Sequence, residues 1–253
     1  MKLANRHILV TGAASGIGLE IVKLFAAEGA SLAIAARDLG SAEATLADHI
    51  GEGSHGHVAL GCDLTEQDAT HALVRDAVAA LGRIDGVVHS AGVDHIAPFE
   101  QTTLTDFRLV LDNNLTSAFH VCQAAAPAIR QAGGGTIVTL ASGAALLPLP
   151  GRTAYCAAKA GLVMFSKTLA LELAKDNIRV NALCPGAIDT PMLRESAGGD
   201  YGDPVPEEVV SRFALGRIGL PDEIARAALF LSSDDSSFVT GAALTADGGR
   251  TFH

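Results

Sequence analysis

The stretch TAYCAAKAGL, residues 153–162, places a tyrosine and a lysine four positions apart among small residues. Alanine-rich runs favour a helix, and residues at i and i+4 share one helix face, so Tyr155 and Lys159 should point the same way. A nearby ammonium lowers the pKa of a phenol, which is otherwise about 10, and the phenol can then act as a general acid and base. An isolated pattern of this kind more often marks a packed tyrosine and a solvated lysine, so the rest of the chain decides.

A glycine-rich turn, VTGAASGIG at residues 10–18, follows the first apolar run and opens the first helical pattern. Glycine lets the backbone turn tightly and approach a ligand closely, and a helix N-terminus offers free N–H groups to a pyrophosphate. The spacing is G-x-x-x-G-x-G rather than G-x-G-x-x-G, and a tight turn without a ligand is the alternative. The turn predicts a dinucleotide site at Gly12, Ser15, Gly16, Ile17 and Gly18.

Short apolar runs alternate with longer helical patterns along the whole chain. This alternation predicts an α/β fold with a single doubly wound (Rossmann) parallel sheet of about seven strands and helices on both faces. The longest helical pattern covers 103–130, with a possible interruption at Pro127. No stretch resembles an interdomain linker, so residues 1–253 are predicted to form a single dinucleotide-binding and catalytic domain.

Composition narrows the classes of partner. The chain has 253 residues, 49% of them hydrophobic and only 4% aromatic, with a formal charge of −10. Without a Lys/Arg cluster, a nucleic-acid partner is not expected. No apolar run is long enough to span a membrane or form a signal-peptide core, so a cytoplasmic location without membrane contact is expected. The histidines of HIGEGSHGH, residues 49–57, are interpreted as solvated loop residues, and no metal site is predicted.

Taken together, the chain resembles a short-chain dehydrogenase/reductase of the compact, single-domain type, similar to 3-oxoacyl reductases and ketone/alcohol oxidoreductases. The resemblance covers nearly the whole length, and its motifs stand in the family's order and spacing. They are TGAASGIG at residues 11–18, Asp63 in CDLT, Asn114 in NNLT, Ser142 in TLAS, the Tyr155/Lys159 pair, and PGAIDTPM at residues 185–192.

The resemblance implies an NAD(P)-dependent oxidoreductase acting on the CH–OH group of a small carbonyl or alcohol substrate. Tyr155 would be the general acid and base, Ser142 would hold the substrate oxygen, Lys159 would also hold the nicotinamide ribose, and Asn114 would hold a water for proton relay. A homotetramer is implied, with helices 103–126 and 153–175 in one interface. Further cofactor contacts are implied at Asp63, Leu64, Ser90, Ala91, Gly92, Pro185, Gly186, Ile188 and Thr190.

One segment departs from the family pattern. Where the family usually has N-N-A-G after the fourth strand, residues 89–92 read HSAG. Ser90 keeps a hydroxyl but lacks the additional hydrogen bonds of an amide. The change is expected to affect local anchoring of the strand and cofactor rather than the chemistry.

The end of the second strand, IAARD, bears on the choice of dinucleotide. An acid at this strand end would bind the adenosine ribose and favour NAD, but the corresponding residue is Ala36, followed by Arg37. A small residue leaves room and a guanidinium can bind a 2′-phosphate, so NADP is predicted. NAD remains the alternative if Asp38 reaches the ribose. Ser15 also lacks the second basic charge found in many NADP-binding relatives.

Substrate contacts are predicted at His95, Ala144, Leu149 and Met192, although ordinary core packing is an equal alternative for the apolar residues. Residues 187–216 contain several glycines without periodicity and are expected to be a loop that closes over the nicotinamide. Substrate identity is not readable. A Tyr/Lys epimerase or dehydratase and a non-catalytic cofactor sensor are less favoured alternatives, because the chain lacks a separate substrate domain and keeps the full set of acid–base residues.

Overall fold

The computed structural model describes residues 1–50, 56–197 and 205–252. Seven strands pair in parallel as one sheet with the order β3-β2-β1-β4-β5-β6-β7, which confirms the predicted doubly wound fold. The strands are β1 His7–Thr11, β2 Ser31–Ala36, β3 His57–Gly61, β4 Gly86–His89, β5 Gly135–Leu140, β6 Ile178–Pro185 and β7 Ala243–Ala246.

Helices connect the strands and cover both faces of the sheet. They are α1 Gly16–Ala27, α2 Leu39–His49, α3 Gln67–Leu81, α4 Leu104–Leu111, α5 Ser117–Gln131, α6 Thr153–Leu173, α7 Pro191–Ala197, α8 Glu207–Val210 and α9 Pro221–Ser232. None of the helices in the described ranges is both long and apolar enough to cross a membrane.

Alternation along the strands divides the core into two layers. On β1, Ile8 and Val10 pack into the layer formed with α1 and α9, whereas Leu9 packs into the opposite layer with α3 and α5. Successive side chains of a strand point to opposite faces of a sheet, so a strand buried on both faces reads as a continuous apolar run. The apolar run HILV is therefore explained by the burial of β1 between two helical layers.

The structure corrects two expectations about local elements. The helix expected over 103–130 is interrupted by a single π turn, Asp112–Thr116, between α4 and α5, while Pro127 lies inside α5, which continues to Gln131. Residues 187–216 are not loop throughout, because α7 and α8 lie within them. The glycine-rich stretch 198–204 of that segment lies outside the described residues.

Candidate active site

The turn after β1 has the geometry of an anion-binding cradle. Gly12 and Gly16 have positive φ angles of 64° and 52°, which favour glycine. A Cβ on Gly12 would lie 2.6 Å from the backbone nitrogen of Ala91, and one on Gly18 would lie 2.0 Å from the carbonyl oxygen of Gly12. Ser15 caps α1 without a side-chain hydrogen bond to the helix. The turn therefore fits a pyrophosphate lying against the first amides of α1.

A cavity of about 920 Å³ runs from this turn along the carboxyl ends of the strands. It brings together the predicted catalytic and cofactor-binding residues. Its walls include Gly12, Ser15, Gly16, Ile17, Gly18, Arg37, Asp63, Leu64, Ser90, Ala91, Gly92, Asn114, Ser142, Tyr155, Lys159, Pro185, Gly186, Ile188 and Thr190.

Tyr155 and Lys159 meet on α6, as their spacing predicted. Lys159 Nζ lies 5.6 Å from the centre of the Tyr155 ring and donates a 2.8 Å hydrogen bond to the Leu140 carbonyl oxygen at the end of β5. Ser142, which follows β5, lies close enough to the tyrosine side chain to lower its pKa. A substrate oxygen placed between Ser142 and Tyr155 would therefore meet a hydrogen-bond donor and a proton donor together.

The pKa of Tyr155 departs from its usual value in the direction opposite to that expected from the sequence. Burial raises the pKa to about 12 and outweighs the opposite effect of the Ser142 hydroxyl. Burial also lowers the pKa of Lys159 to about 8. The ammonium donates to the Leu140 carbonyl oxygen, and burial is the largest cause of the shift in the pKa of Tyr155. Tyr155 is thus protonated at neutral pH, as a proton donor for carbonyl reduction must be.

Asn114 lies in the π turn between α4 and α5 and is fully buried. Its Nδ2 donates to the carbonyl oxygens of Val93 and Val110 at 2.8 Å each, whereas its Oδ1 has no hydrogen-bond partner among the described residues. A Cβ on Gly92 would lie 2.4 Å from this oxygen and 3.3 Å from Lys159 Nζ. The free acceptor beside the ammonium fits a water or a ribose hydroxyl, since buried acceptors rarely stay unpaired.

His89 anchors the region where the chain departs from the family pattern, a role that the sequence reasoning missed. Its Nδ1 lies 3.0 Å from Thr11 Oγ1 at the end of β1, and its Nε2 lies 3.2 Å from Ser117 Oγ at the start of α5. The ring is fully buried, and burial, assisted by the charge of Lys159, lowers its pKa to about 3. A neutral His89 therefore connects two central strands to the start of α5, next to the π turn that carries Asn114.

The residues that bear on the choice between NAD and NADP lie at the end of β2. Ala36 is buried and Arg37 is exposed on the cavity wall. Asp38 caps α2, where its carboxylate accepts from the Ser41 backbone N–H at 2.9 Å and from the Ser41 hydroxyl at 2.8 Å. Both carboxylate oxygens of Asp38 are therefore engaged within the protein, while the guanidinium of Arg37 has no hydrogen bond or ion pair among the described residues.

At the other end of the cavity, three of the four predicted substrate residues, Ala144, Leu149 and Met192, line the wall. His95 does not; its Nε2 lies 3.9 Å from Asp106 Oδ2 beside α4. The preceding residue, Asp94, lines the cavity instead and pairs with Arg152. The sequence offered no signal for this pair, because its members lie 58 positions apart in segments without periodicity.

The histidine-rich stretch shows no metal-binding geometry in the part that the structure covers. His55 lies outside the described residues. Within them, no group of three or more His, Cys, Asp or Glu side chains could hold a metal ion.

Comparison with known proteins assigns the class. A family model described as enoyl-(acyl carrier protein) reductase matches residues 12–251. The chain belongs to the short-chain dehydrogenase/reductase family, as its sheet order and the residues around its cavity indicate. It is an NAD(P)-dependent oxidoreductase that acts on alcohol and carbonyl groups.

Individual relatives cover almost the whole chain. It is 40% identical to D-threitol dehydrogenase of Mycolicibacterium smegmatis over 99% of this chain and 94% of that protein. It is 38% identical to 3-oxoacyl-(acyl-carrier-protein) reductase of Chlamydia trachomatis over 98% of both. Among solved structures, a short-chain type dehydrogenase/reductase from Mycobacterium marinum superposes with a TM-score of 0.92 at 33% identity, covering 100% of this chain and 98% of that one. A 7α-hydroxysteroid dehydrogenase in complex with NADH and 7-oxo glycochenodeoxycholic acid superposes with a TM-score of 0.90 at 35% identity, covering 98% and 95%.

Proposed function

We propose that this chain is an NADP-preferring dehydrogenase/reductase for a secondary alcohol and its ketone, with Tyr155 as the general acid and base. The observation that carries the proposal is the arrangement of Ser142, Tyr155, Lys159 and Asn114 around one cavity that continues into the glycine turn. A non-catalytic cofactor sensor would need the turn but not this set of acid–base residues.

A nicotinamide held in this cavity would supply or accept the hydride, and the residues of the chain bind the substrate oxygen and transfer the proton. In reduction, Ser142 holds the carbonyl oxygen and Tyr155 donates its proton as the oxygen becomes an alkoxide. Lys159 stabilises the tyrosinate that remains. Asn114 Oδ1, beside Lys159 Nζ, is placed to hold the water through which the proton is replaced. In oxidation the same proton path runs in reverse.

The preference for NADP is supported by Arg37. A 2′-phosphate is an anion that a guanidinium can bind with two parallel hydrogen bonds, and Arg37 has its donors free among the described residues. The side chain of Asp38, the competing ligand for a 2′-hydroxyl, is held at the start of α2 by hydrogen bonds from Ser41 to both of its oxygens. One relative was solved with NADH, so an NAD-dependent alcohol dehydrogenase is the second candidate. An epimerase or dehydratase is less favoured, because all relatives named above are dehydrogenases or reductases.

We also propose that the chain assembles as a homotetramer through the helices at 103–126 and 153–175. Large apolar side chains on these helices are exposed in the single chain, which supports their covering by another subunit. They are Leu109, Phe119, Met164 and Leu171. Light scattering should give four times the chain mass; a monomer at micromolar concentration would contradict this assembly.

The test of the proposed function is a screen of secondary alcohols and ketones with NADP(H) and NAD(H). Cofactor absorbance should change with at least one carbonyl/alcohol pair, and faster with NADP(H). Cofactor binding without turnover of any pair would favour a sensor. Turnover with inversion or water loss and no net cofactor change would favour the epimerase or dehydratase class.

A further inference from the structure

Arg152 bridges three segments of the cavity wall. Its Nε donates to Asp94 Oδ2 at 2.7 Å, and one of its terminal nitrogens donates to Ser196 Oγ at 3.2 Å. Asp94 follows β4, Arg152 immediately precedes α6, and Ser196 lies on α7. All three line the cavity, and the charged side chains are only 12% exposed for Asp94 and 22% for Arg152.

The bridge lies close enough to Tyr155 to influence its ionisation. The carboxylate of Asp94 raises the pKa of Tyr155 and the guanidinium of Arg152 lowers it, and both act less strongly than burial. Arg152 also lies one helical turn before Tyr155 along the chain. The ion pair therefore stands beside the point where the reacting oxygen of the substrate has to bind.

Asp94 and Arg152 have hydrogen-bonding capacity beyond the contacts that they make with each other and with their neighbours. A guanidinium has five N–H groups, and two are used by Asp94 and Ser196. The carboxylate accepts from Arg152 and from the backbone N–H of His95, the latter at 2.8 Å, and each of its oxygens has a further lone pair. Since the pair has no net charge, it suits a neutral group that both donates and accepts. A hydroxyl has this property, whereas a carboxylate or phosphate would meet Asp94 as a like charge.

We propose that Asp94 and Arg152 bind a second hydroxyl of the substrate, one or two carbons from the carbon that exchanges hydride. The preferred substrates are then diols and hydroxyketones rather than simple alcohols and ketones. This inference rests on the proposed function and names its substrate class. The apolar side of the same wall, with Leu149, Met192 and Phe213, takes the carbon chain. A site built around a substrate hydroxyl discriminates strongly against analogues that lack it, because its buried polar groups are then left unpaired.

The test compares matched substrates: 2,3-butanediol with 2-butanol, 2,4-pentanediol with 2-pentanol, and acetoin with butanone. In the wild-type protein, kcat/KM for the hydroxylated member should exceed that of its partner by at least about a hundredfold in at least one pair. Asp94→Asn and Arg152→Gln should each reduce this ratio at least about tenfold. Arg130→Gln is the control, because it breaks the Arg130–Asp176 ion pair of the same 2.7 Å length outside the cavity, and it should keep the ratio.

The pH profile separates recognition from a merely structural role of the bridge. Asp94→Asn removes a charge that raises the pKa of Tyr155, so the alkaline limb of alcohol oxidation should move to lower pH, and Arg152→Gln should move it to higher pH. Turnover of the simple alcohols and ketones as efficient as that of their hydroxylated partners would overturn the inference and leave the proposed function standing. Wild-type protein that turns over no pair, while processing another alcohol in the wider screen, would also overturn it. Failure of the wider screen as well would contradict the proposed function itself.

Discussion

The side chains of Tyr155 and Lys159 lie on one face of α6, with Lys159 Nζ 5.6 Å from the centre of the tyrosine ring. The ammonium is held there by the Leu140 carbonyl oxygen rather than by the tyrosine hydroxyl. Its influence on the hydroxyl is therefore electrostatic, acts through partly buried surroundings, and depends on the charge of Lys159.

Removal of that charge should move the pH dependence of catalysis. Oxidation requires tyrosinate, so its rate should rise with pH toward the raised pKa of Tyr155, about 12 before cofactor binds. Reduction requires the protonated tyrosine and should fall over the same range. In Lys159→Gln, kcat/KM for oxidation should fall at least about tenfold below about pH 8, where Lys159 carries its charge, because the cation no longer favours tyrosinate. Above that pH, where Lys159 is neutral, the profiles of the variant and the wild-type protein should converge. The measurement is kcat/KM against pH in both directions.

Lys167→Gln provides the matched control, because Lys167 is exposed two turns further along α6. Its profile should match that of the wild-type protein. If the Lys159→Gln profile also matches, Lys159 does not act on the tyrosine and serves only to bind the ribose.

Arg37 should decide between the two dinucleotides. We expect the wild-type protein to prefer NADPH over NADH by at least about tenfold in kcat/KM, equivalent to about 1.4 kcal/mol. Arg37→Ala should erase most of that difference through NADPH alone, since the lost interaction is with the 2′-phosphate. If the wild-type protein uses NADH as well as or better than NADPH, Arg37 does not select NADP. Asp38 then becomes the expected ligand of the ribose.

Gly18 should be essential to the cradle for steric reasons. In Gly18→Ala the new Cβ would meet the Gly12 carbonyl oxygen at 2.0 Å, and a backbone atom can yield only if the turn distorts. We expect cofactor affinity, measured by fluorescence titration, to fall at least about tenfold. Gly82→Ala is the control: Gly82 has a φ of 81° with nothing within 4 Å, so it should cost about 1–2 kcal/mol of stability and leave cofactor affinity intact. Similar affinities in the two variants would argue against the cradle.

His89 should make stability fall on acidification. The pKa of His89 is about 3 in the folded protein against an ordinary value of 6.5. Between these two pH values the imidazole binds a proton in the unfolded chain but stays neutral in the folded protein. Its stabilising effect is complete above pH 6.5 and is lost progressively as the pH falls toward 3. The slope for one such group approaches about 1.4 kcal/mol per pH unit.

Urea unfolding of His89→Asn at pH 7, 6 and 5 would measure this effect. The free energy of unfolding should depend less steeply on pH in the variant than in the wild-type protein, by the equivalent of about one bound proton. The exposed His49 on α2 supplies the control variant, His49→Asn, which should keep the wild-type slope. A wild-type slope in His89→Asn would mean that another group governs acid sensitivity.

Local patterns predicted the fold and most of the cavity wall. The five inner strands of the sheet are short apolar runs buried on both faces. The glycine turn, Ser142, Tyr155 and Lys159 follow in a fixed order along the cavity at the carboxyl ends of the strands. These features depend on neighbouring residues and on the topology of parallel sheets, which a sequence reveals through periodicity and spacing.

Features that depend on three-dimensional packing were missed. The π turn at Asp112–Thr116 inserts one residue into a helix whose periodicity continues on either side, so the interruption was assigned wrongly to Pro127. The pKa of Tyr155 was expected to fall because the motif shows the lysine but not the burial, which outweighs it. The Asp94–Arg152 pair arises from two loops that meet only in the folded chain.

The most direct test of the account is Tyr155→Phe, which removes one hydroxyl and keeps the ring. With the best substrate of the screen, kcat should fall at least about a thousandfold, because the general acid and base is lost. The dissociation constant for the cofactor, measured on the same preparation, should stay within about threefold of the wild-type value, as expected of an intact cradle. Turnover of Tyr155→Phe near the wild-type rate would contradict the assignment of the proton transfer to Tyr155.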